Sequence, residues 1–249
     1  HYIMIGHNHL GKNGRFGNQM FQYAATRGLA AKHKYDWCIP DGPRTDEEFV
    51  DEENQHKLFM AFKMEGAKVV KDHPAPYEKE GSFTFDHRLF LYCPDNVNLY
   101  GYFQCEKYFK DIEKEIRQDF TWRDDVRNLC QDMFDSIGGK AISLHIRRTD
   151  HLVKPTYHPV LPLSYYEKAL EIIDTLSLDR QKNLPVLVLS DDPEWCHEQK
   201  FFSDDRFMIS DSGDNITDMC LMSMCQYQIM ANSTFSWWGA WLSNSKNVF

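Results

Sequence analysis

The stretch AISLHIRRTD at Ala141–Asp150 joins an apolar run to a cluster of charged residues. Its first six residues are typical of a buried strand. A helix is predicted downstream over Tyr165–Leu176, a second strand over Val186–Leu189, and a further helix from Pro193 with Asp192 as its N-cap. Strands that alternate with helices predict parallel βαβ units, which bind ligands beyond the carboxyl ends of their strands.

Two shorter apolar runs add strands to this half of the chain, at Phe207–Ile209 and Gln228–Ala231. Ser164 and Glu167 have the spacing of a capping box, which marks the start of the predicted helix between the two strong strands. The second half of the chain is therefore expected to form one parallel α/β sheet.

The N-terminal half has the same order of elements. Tyr2–Ile5 predicts a strand and Gln19–Lys32 a helix, with a glycine-rich turn between them. Asn98–Phe103 predicts another strand, and Lys107–Phe120 an amphipathic helix. The charged segment Asp41–Pro76 shows no periodic pattern and is expected to be a solvated loop.

By length the chain can form one large domain or two ordinary ones. The 249 residues are 42% hydrophobic, which is enough for a sizeable core. Gly138 and Gly139 interrupt the pattern, so the expected domains are residues 1–137 and 138–249.

Charge and cysteine content exclude several functional classes. The net charge of −9 disfavours nucleic acid and anionic membranes as partners. The seven cysteines include no CxxC pair, which argues against a zinc site or a disulfide framework. No apolar run reaches the roughly 18 residues of a membrane span. A cytoplasmic protein is expected, or one of the Golgi lumen if an N-terminal anchor has been removed.

The first candidate site is the turn GKNGRFGNQMFQYA at Gly11–Ala24. Glycines allow close backbone approach, and the start of a helix presents unpaired N–H groups, a combination that binds phosphate. The G-x-x-G-x-x-G spacing matches neither the dinucleotide fingerprint nor the P-loop. A tight turn without a ligand is the structural alternative, and Arg15 and Asn18 within the turn favour the binding site.

The second candidate is HIRRTD at His145–Asp150. One arginine can serve as a fork for phosphate oxygens while the other pairs with a carboxylate such as Asp150, and Arg147 is expected to be the one that faces the ligand. The alternative is that both arginines form structural ion pairs. His145 could equally be a buried structural histidine.

Two further strand ends carry polar groups. In LSDDPEW at Leu189–Trp195, Asp191 can accept hydrogen bonds from the N1–H and amino group of a guanine base. In ANSTFSWWGAWL at Ala231–Leu242, Ser233 and Thr234 can hold a second phosphate or simply cap a helix. The chain has no Asp-x-Asp or HExxH motif, so no metal site and no cofactor are expected.

Five blocks taken in order carry a resemblance to a known family: GRFGNQMFQYA, GYFQCEKYF at Gly101–Phe109, HIRRTD, LSDDPEW and LMSMCQYQIMANSTFSWWGAWL. Together they resemble the α-1,2-fucosyltransferases of glycosyltransferase family eleven. The first block is also similar to protein O-fucosyltransferases, and HxRRxD to α-1,6-fucosyltransferases. The resemblance implies an α/β GT-B fold of two Rossmann-like domains facing each other across a cleft. It also implies GDP-fucose as donor, inversion at the anomeric carbon, and no metal requirement.

The resemblance also assigns roles to single residues. Arg147 would contact the β-phosphate and Asp191 the guanine. The N-terminal domain would lie on the acceptor side and the C-terminal domain would bind the GDP-sugar. The expected donor-binding set is Gly14, Arg15, Phe16, Gly17, Asn18, His145, Arg147, Asp191, Ser233, Thr234 and Phe235.

The general base is the missing part of the family pattern. The α-1,6 enzymes place a glutamate shortly after HxRRxD, whereas HLVKPTYHP at His151–Pro159 contains no carboxylate. His158 is the first candidate because an imidazole near neutrality can accept the hydroxyl proton, and His145 and Asp150 are alternatives. The expected catalytic residues are Arg147, His158 and Asp150.

The resemblance thus implies a galactoside 2-α-L-fucosyltransferase with a galactose-containing oligosaccharide as acceptor. A protein O-fucosyltransferase, another GDP-sugar transferase, or a silent nucleotide-sugar or glycan-binding protein are the alternatives. The chain stops at Phe249, where family members usually continue, so a truncated C-terminal end and a short natural chain are both open.

Overall fold

The computed structural model describes residues 3–51, 54–153, 156, 158–176, 184–243 and 245–249. The chain divides into two compact units, His1–Arg123 and Asp124–Phe249. Within the described residues each unit is built on a four-stranded sheet whose paired strands run parallel.

The sheet of the first unit has the strand order β2-β1-β4-β3. Its elements are β1 (Met4–Gly6), α1 (Phe16–His33), β2 (Asp36–Cys38), α2 (Leu58–Ala61), β3 (Tyr77–Lys79), α3 (His87–Tyr92), β4 (Asn98–Tyr100) and α4 (Glu113–Asp119). Gly6 pairs with Asn98, so the loops that leave the carboxyl ends of β1 and β4 are neighbours at one edge of this sheet.

Helix α1 is the central helix of the first unit, and buried side chains occur on all its sides, including Met20, Tyr23 and Leu29. It ends at Lys34, which has a left-handed backbone (φ 58°) and whose N–H bonds the carbonyl of Ala31 at 3.3 Å. Such a left-handed cap satisfies carbonyls at the end of a helix, so α1 has a defined C-terminus.

The sheet of the second unit has the strand order β7-β6-β5-β8. Its elements are α5 (Asp124–Ser136), β5 (Ile142–Ile146), α6 (Thr149–Val153), α7 (Leu163–Leu176), β6 (Val186–Ser190), α8 (Pro193–Glu198), β7 (Phe207–Ile209), α9 (Asn215–Met224), β8 (Tyr227–Ile229) and α10 (Thr234–Ser243). All five residues of β5 are buried, as expected for a central strand covered on both faces.

The division between the units lies earlier in the chain than the residue 137–138 boundary expected from the glycine pair. Helix α5 belongs to the second unit, where the Cys130 thiol donates to the carbonyl of Thr217 in α9 at 3.7 Å. The Gly138–Gly139 turn only joins α5 to β5. That the first domain lies on the acceptor side and the second binds the GDP-sugar stays a prediction.

Several predicted elements agree with the structure and three differ. Asp192 caps α8 as predicted, accepting the Trp195 N–H at 3.2 Å. Helix α7 begins at Leu163, so Ser164 lies inside the helix and not at its cap. The segment expected to be a patternless loop includes the helix α2 and a bridge from Ile39 to Val69.

The predicted helix Lys107–Phe120 was wrong in its first half. Two 3-10 turns, Glu106–Tyr108 and Lys110–Ile112, come first, and only Glu113–Asp119 is α-helical. A methyl group at Gly28 of α1 would lie 2.1 Å from the Tyr108 carbonyl. The backbone of this segment therefore packs directly on α1.

Candidate functional site

The glycine-rich turn of the first unit leads from β1 into α1. The N-cap residue Arg15 makes no side-chain capping bond, and the first turn of α1 contains no acidic residue. Helix starts carry unpaired N–H groups and a positive partial charge. The beginning of α1 is therefore suited to an anion, and the Arg15 side chain beside it is exposed.

Two glycines of this turn are required by its backbone. Gly11 and Gly14 have φ angles of +89° and +100°, which other residues rarely adopt. A Cβ atom at Gly14 would lie 2.6 Å from Nδ2 of Asn18, and one at Gly11 would lie 2.4 Å from the amide nitrogen of His56. Gly17 is buried in the first turn of α1.

Asn18 is held by a residue that the sequence analysis did not single out. Nε2 of Gln104, in the loop after β4, donates to Oδ1 of Asn18 at 2.8 Å. The predicted donor residue Phe16 instead packs in the core, 2% exposed, with its ring stacked on Phe62 at 5.8 Å. The Phe16 side chain thus anchors α1, and a contact of Phe16 with a ligand would have to come from its backbone.

In the second unit, Arg147 follows β5 and already has two carboxylate partners. Its Nη2 lies 2.8 Å from Oδ1 of Asp150, and its Nη1 lies 3.2 Å from Oδ2 of Asp191. From the sequence, the ligand-facing arginine and the carboxylate-paired arginine were expected to be different residues. Arg147 pairs with Asp150 itself, so an incoming phosphate must compete with a carboxylate.

Asp191 organises the turn between β5 and α6. Its Oδ1 accepts the Arg148 N–H at 2.9 Å, and its Oδ2 accepts the Thr149 N–H at 3.1 Å and the Thr149 hydroxyl. Both oxygens are therefore occupied by the chain itself. The contact of Asp191 with guanine stays a prediction, and Thr149 is a contributor that sequence analysis missed.

The Arg148 side chain is held by two neighbouring residues of the same unit. Its Nε lies 3.1 Å from Oδ2 of Asp192, and its guanidinium lies over the Trp195 ring, 3.8 Å from the centroid. A cation over an indole face, with an ion pair at its edge, is well satisfied within the protein. Arg148 therefore suits a structural role, and the contact of Arg147 with the ligand stays a prediction.

His145 lies at the end of β5 and is 3% exposed. Its Nδ1 is hydrogen-bonded to the Ser236 hydroxyl of α10, and its ring centroid lies 5.1 Å from that of Phe235. Burial, and secondarily the charge of Arg147, lower the pKa of His145 to about 3. His145 is thus neutral at physiological pH and links β5 to α10, as a structural histidine does.

The loop after β8 approaches from the other side of β5. Ser233 accepts the Phe235 N–H at 3.2 Å with its hydroxyl and thereby caps α10, which begins at Thr234. Because β6, β5 and β8 are adjacent and parallel, their carboxyl ends bring Asp191, Arg147 and Ser233 to one edge of the sheet.

The tryptophans of α10 form a packed group, with Trp238 fully buried and ring centroids of Trp237, Trp238 and Trp241 4.9 to 6.4 Å apart. These rings serve the core, as the sequence analysis preferred.

The candidate bases lie near α6. His151 is buried, and its ring stacks on the exposed His158 with centroids 5.1 Å apart. Burial is the largest cause that lowers the pKa of His151, and the nearby Asp150 acts in the opposite direction. The ring of His158 is thus held by a second histidine that sequence analysis did not consider.

No set of three or more His, Cys, Asp or Glu side chains is grouped as metal ligands among the described residues. Within the same residues, no helix has the length and apolar character needed to cross a membrane.

The chain is similar in sequence to known glycosyltransferases. The model of the family described as Glycosyl transferase family 11 matches residues 2–249. An O-antigen biosynthesis glycosyltransferase, WbnK of Escherichia coli, is 29% identical over 93% of this chain and 88% of its own length. An alpha-1,2-colitosyltransferase of the same organism is 28% identical over 93% and 86%. Galactoside alpha-(1,2)-fucosyltransferase 1 of Rattus norvegicus is 26% identical over 95% of this chain, which spans 63% of the rat protein.

Solved structures confirm the fold class. The NodZ alpha-1,6-fucosyltransferase co-crystallised with GDP superposes with a TM-score of 0.61 at 13% identity, covering 96% of this chain and 92% of NodZ. POFUT1 in complex with GDP-fucose superposes with a TM-score of 0.59 at 13% identity, covering 100% and 98%. The expected α/β fold of the GT-B type, with two parallel-sheet units, is confirmed.

Proposed function

Because the chain belongs to glycosyl transferase family 11, we propose that it transfers L-fucose from GDP-fucose to the 2-hydroxyl of a galactoside, with inversion. The observation that carries this proposal is the position of Arg147 at the carboxyl end of β5, between the loops that follow β6 and β8. The rat relative named as a galactoside alpha-(1,2)-fucosyltransferase supports the choice of sugar and acceptor.

The role of Arg147 follows from the charge that develops during transfer. As the bond from fucose C1 to the diphosphate breaks, negative charge accumulates on the β-phosphate, and a cation placed there stabilises the transition state more than the ground state. Asp150 is 44% exposed at its side chain and Asp191 only 16%, so the Asp150 pair is the better screened and weaker one. We expect the phosphate to replace Asp150 on Arg147.

The first unit offers donors of a different kind. The uncapped start of α1 and the Asn18 amide are neutral hydrogen-bond donors that suit an anionic substrate. We propose that they bind the sugar nucleotide, as the resemblance of the GRFGNQ turn implies for Arg15 and Asn18.

The acceptor hydroxyl must lose a proton, and two groups near α6 are candidates to receive it. A carboxylate released by Arg147, Asp150, is one, and the exposed His158 is the other. Asp150→Asn and His158→Ala separate them, because only the variant that lacks the base loses the acidic limb of the rate profile against pH. Loss of that limb in neither variant would exclude both residues.

We propose further that transfer needs neither a divalent metal nor a cofactor, because Arg147 supplies the positive charge that a metal would bring to the leaving diphosphate. Turnover of GDP-fucose with lactose is expected to be the same with and without excess chelator. A strict requirement for magnesium or manganese would contradict this part of the proposal.

Colitose is the second candidate sugar, because one relative is named as an alpha-1,2-colitosyltransferase at 28% identity. Colitose is the 3-deoxy form of L-fucose. A site that hydrogen-bonds the 3-hydroxyl should prefer fucose strongly, whereas a site with an apolar contact at that position should accept both sugars.

The test is a donor panel with lactose as acceptor and mass spectrometry of the products. GDP-fucose is expected to give a fucosylated product faster than GDP-colitose or GDP-mannose. A preference for GDP-colitose would change the proposed sugar but not the proposed type of reaction. GDP binding without any product would favour a silent binding protein. Fucosylation of a folded peptide domain, and not of lactose, would favour the protein O-fucosyltransferase alternative.

A further inference from the structure

The loop that leaves β4 is fixed by a half-buried carboxylate, that of Glu80. Oε2 of Glu80 accepts the N–H groups of Tyr102 and Phe103 at 3.1 and 2.8 Å. Phe103 has a φ of +54°, a left-handed conformation that a bulky residue adopts only when its surroundings impose it. Its fully buried ring and the two bonds to Glu80 provide that constraint.

Glu80 is itself held in place from its other oxygen. The Tyr108 hydroxyl donates to Oε1 of Glu80 at 3.0 Å and accepts the Asp86 N–H at 2.8 Å. Glu80 therefore has donors on both oxygens, and the backbone just before Gln104 has a single arrangement set by long-range contacts.

Gln104 reaches from this loop to the glycine-rich turn. Its side chain is exposed, and its Nε2 donates to Oδ1 of Asn18 at 2.8 Å. Because Oδ1 of Asn18 accepts this bond, the amide nitrogen Nδ2 of Asn18 must point away from Gln104. Nδ2 lies 2.6 Å from the position that a Cβ atom of Gly14 would occupy. The Asn18 donor is thus directed over the turn by its bond to Gln104.

We propose that Gln104 is a positioning residue for the donor substrate, which acts by fixing the amide orientation of Asn18. The inference rests on the proposed function, in which Asn18 donates to the sugar nucleotide. Gln104 stands in the block Gly101–Phe109, to which neither composition nor spacing assigns a role.

The two loops do not depend on Gln104 for their attachment to one another. Gln22, which is fully buried, donates from Nε2 to the carbonyls of Asn13 and Gly101 at 2.8 and 3.0 Å. The buried Gln22 side chain therefore joins the glycine-rich turn to the loop after β4, independently of Gln104. Removal of the exposed Gln104 amide should leave the fold intact, so that the effect on Asn18 can be measured by itself.

The experiment is a double-mutant cycle on GDP binding, measured by calorimetry with Gln104→Leu, Asn18→Ala and the combined variant. Gln104→Leu is expected to weaken GDP binding about tenfold, as loss of one oriented donor to an anion would. Asn18→Ala should weaken it by about the same factor. In the Asn18→Ala background, Gln104→Leu should have no further effect, because its only route of action has been removed.

Gln118→Leu is the matched control. Gln118 is an exposed glutamine of the same unit, whose Nε2 donates to Glu65 at 3.4 Å, and its replacement should leave GDP affinity unchanged. Equal, additive losses from Gln104→Leu in both backgrounds would overturn the inference, since a general structural effect does not require Asn18. A Gln104→Leu variant with wild-type affinity would overturn it as well, while wild-type protein that does not bind GDP would overturn the proposed function and the inference together.

Discussion

The two loops that carry the predicted phosphate-binding residues differ in whether carboxylates already surround them. The turn before α1 has no acidic residue in its first helical turn and presents neutral N–H donors with Asn18. The turn after β5 has two arginines faced by three carboxylates, Asp150, Asp191 and Asp192. The first loop is ready for an anion as it stands, whereas the second is neutralised until an anion displaces a carboxylate.

This difference suggests a division of work. Neutral donors that need no release contribute to binding in the ground state. An arginine that must exchange a carboxylate for a phosphate gains most when the phosphate charge is largest, in the transition state. We therefore expect variants of the first loop to alter GDP affinity and variants of Arg147 to alter turnover.

The largest effect is expected from Arg147→Ala. Turnover at saturating GDP-fucose should fall by about 10²- to 10³-fold, the range seen when one donor to a developing anion is removed. Initial rates with lactose measure it. Arg148→Ala is the matched control, since its guanidinium is engaged by Asp192 and Trp195, and it should lower the melting temperature while keeping turnover within a few-fold. Normal turnover in Arg147→Ala would remove the basis of the comparison.

In one respect the two regions should behave alike, because buried neutral histidines lie in both units. Burial lowers the pKa of His7 and His145 to about 3 and that of His56 to about 4. The unfolded chain binds protons at these sites below pH 6.5 and the folded chain does not, so acid favours unfolding. The free energy of unfolding should fall by up to about 1.4 kcal/mol per pH unit for each histidine between pH 6 and 5, and the contribution of His56 should level off near pH 4.

Urea titrations at pH 6 and 5 test this acid sensitivity, and hydrogen exchange locates it. Protection should fall in β1, next to His7, and in β5, which contains His145. Stability that does not change over this interval would show that the histidines are not buried as described.

Gly14→Ala should produce a smaller effect on the first loop. The φ of +100° makes a side chain costly, by about 1 to 2 kcal/mol, and the added methyl would displace Asn18 Nδ2. GDP affinity, measured by calorimetry, should fall about tenfold. Gly213→Ala is the control, because its φ is +65° and nothing lies within 4 Å of the added Cβ. If both variants lost stability but neither lost affinity, the first loop would not be the binding loop.

The smallest effect is expected from Ser233→Ala. Loss of the cap on α10 should lower the free energy of unfolding by about 1 kcal/mol, measured by urea denaturation. A parallel loss of GDP affinity would support the predicted phosphate contact of Ser233. An unchanged affinity would leave Ser233 with its capping role alone.

The sequence predicted correctly the strands that end beside the candidate site residues of the second unit. The apolar runs before Arg147 and Asp191 were strong enough to place both residues at the same sheet edge, and Asp192 with Pro193 gave a helix start that the structure confirms. Such signals are local, because a strand, its end and the next cap lie within a few residues.

What the sequence could not provide were partners that are distant along the chain. The bond between Gln104 and Asn18 spans 86 residues, and the bonds from Arg148 and Thr149 to Asp191 span 43 and 42. The burial of Phe16 was missed for the same reason, since its partner Phe62 belongs to a segment without a periodic pattern. Motif spacing names the residues at a site but not the contacts that orient them.

The most direct test of the proposed reaction offers GDP-fucose with a galactoside and with its 2-deoxygalactoside analogue, and follows both acceptors and released GDP by mass spectrometry. We expect one added fucose on the galactoside, with GDP released in equal amount, and none on the 2-deoxy analogue. Fucosylation of the analogue at a comparable rate, or GDP binding with no transfer to either acceptor, would contradict it.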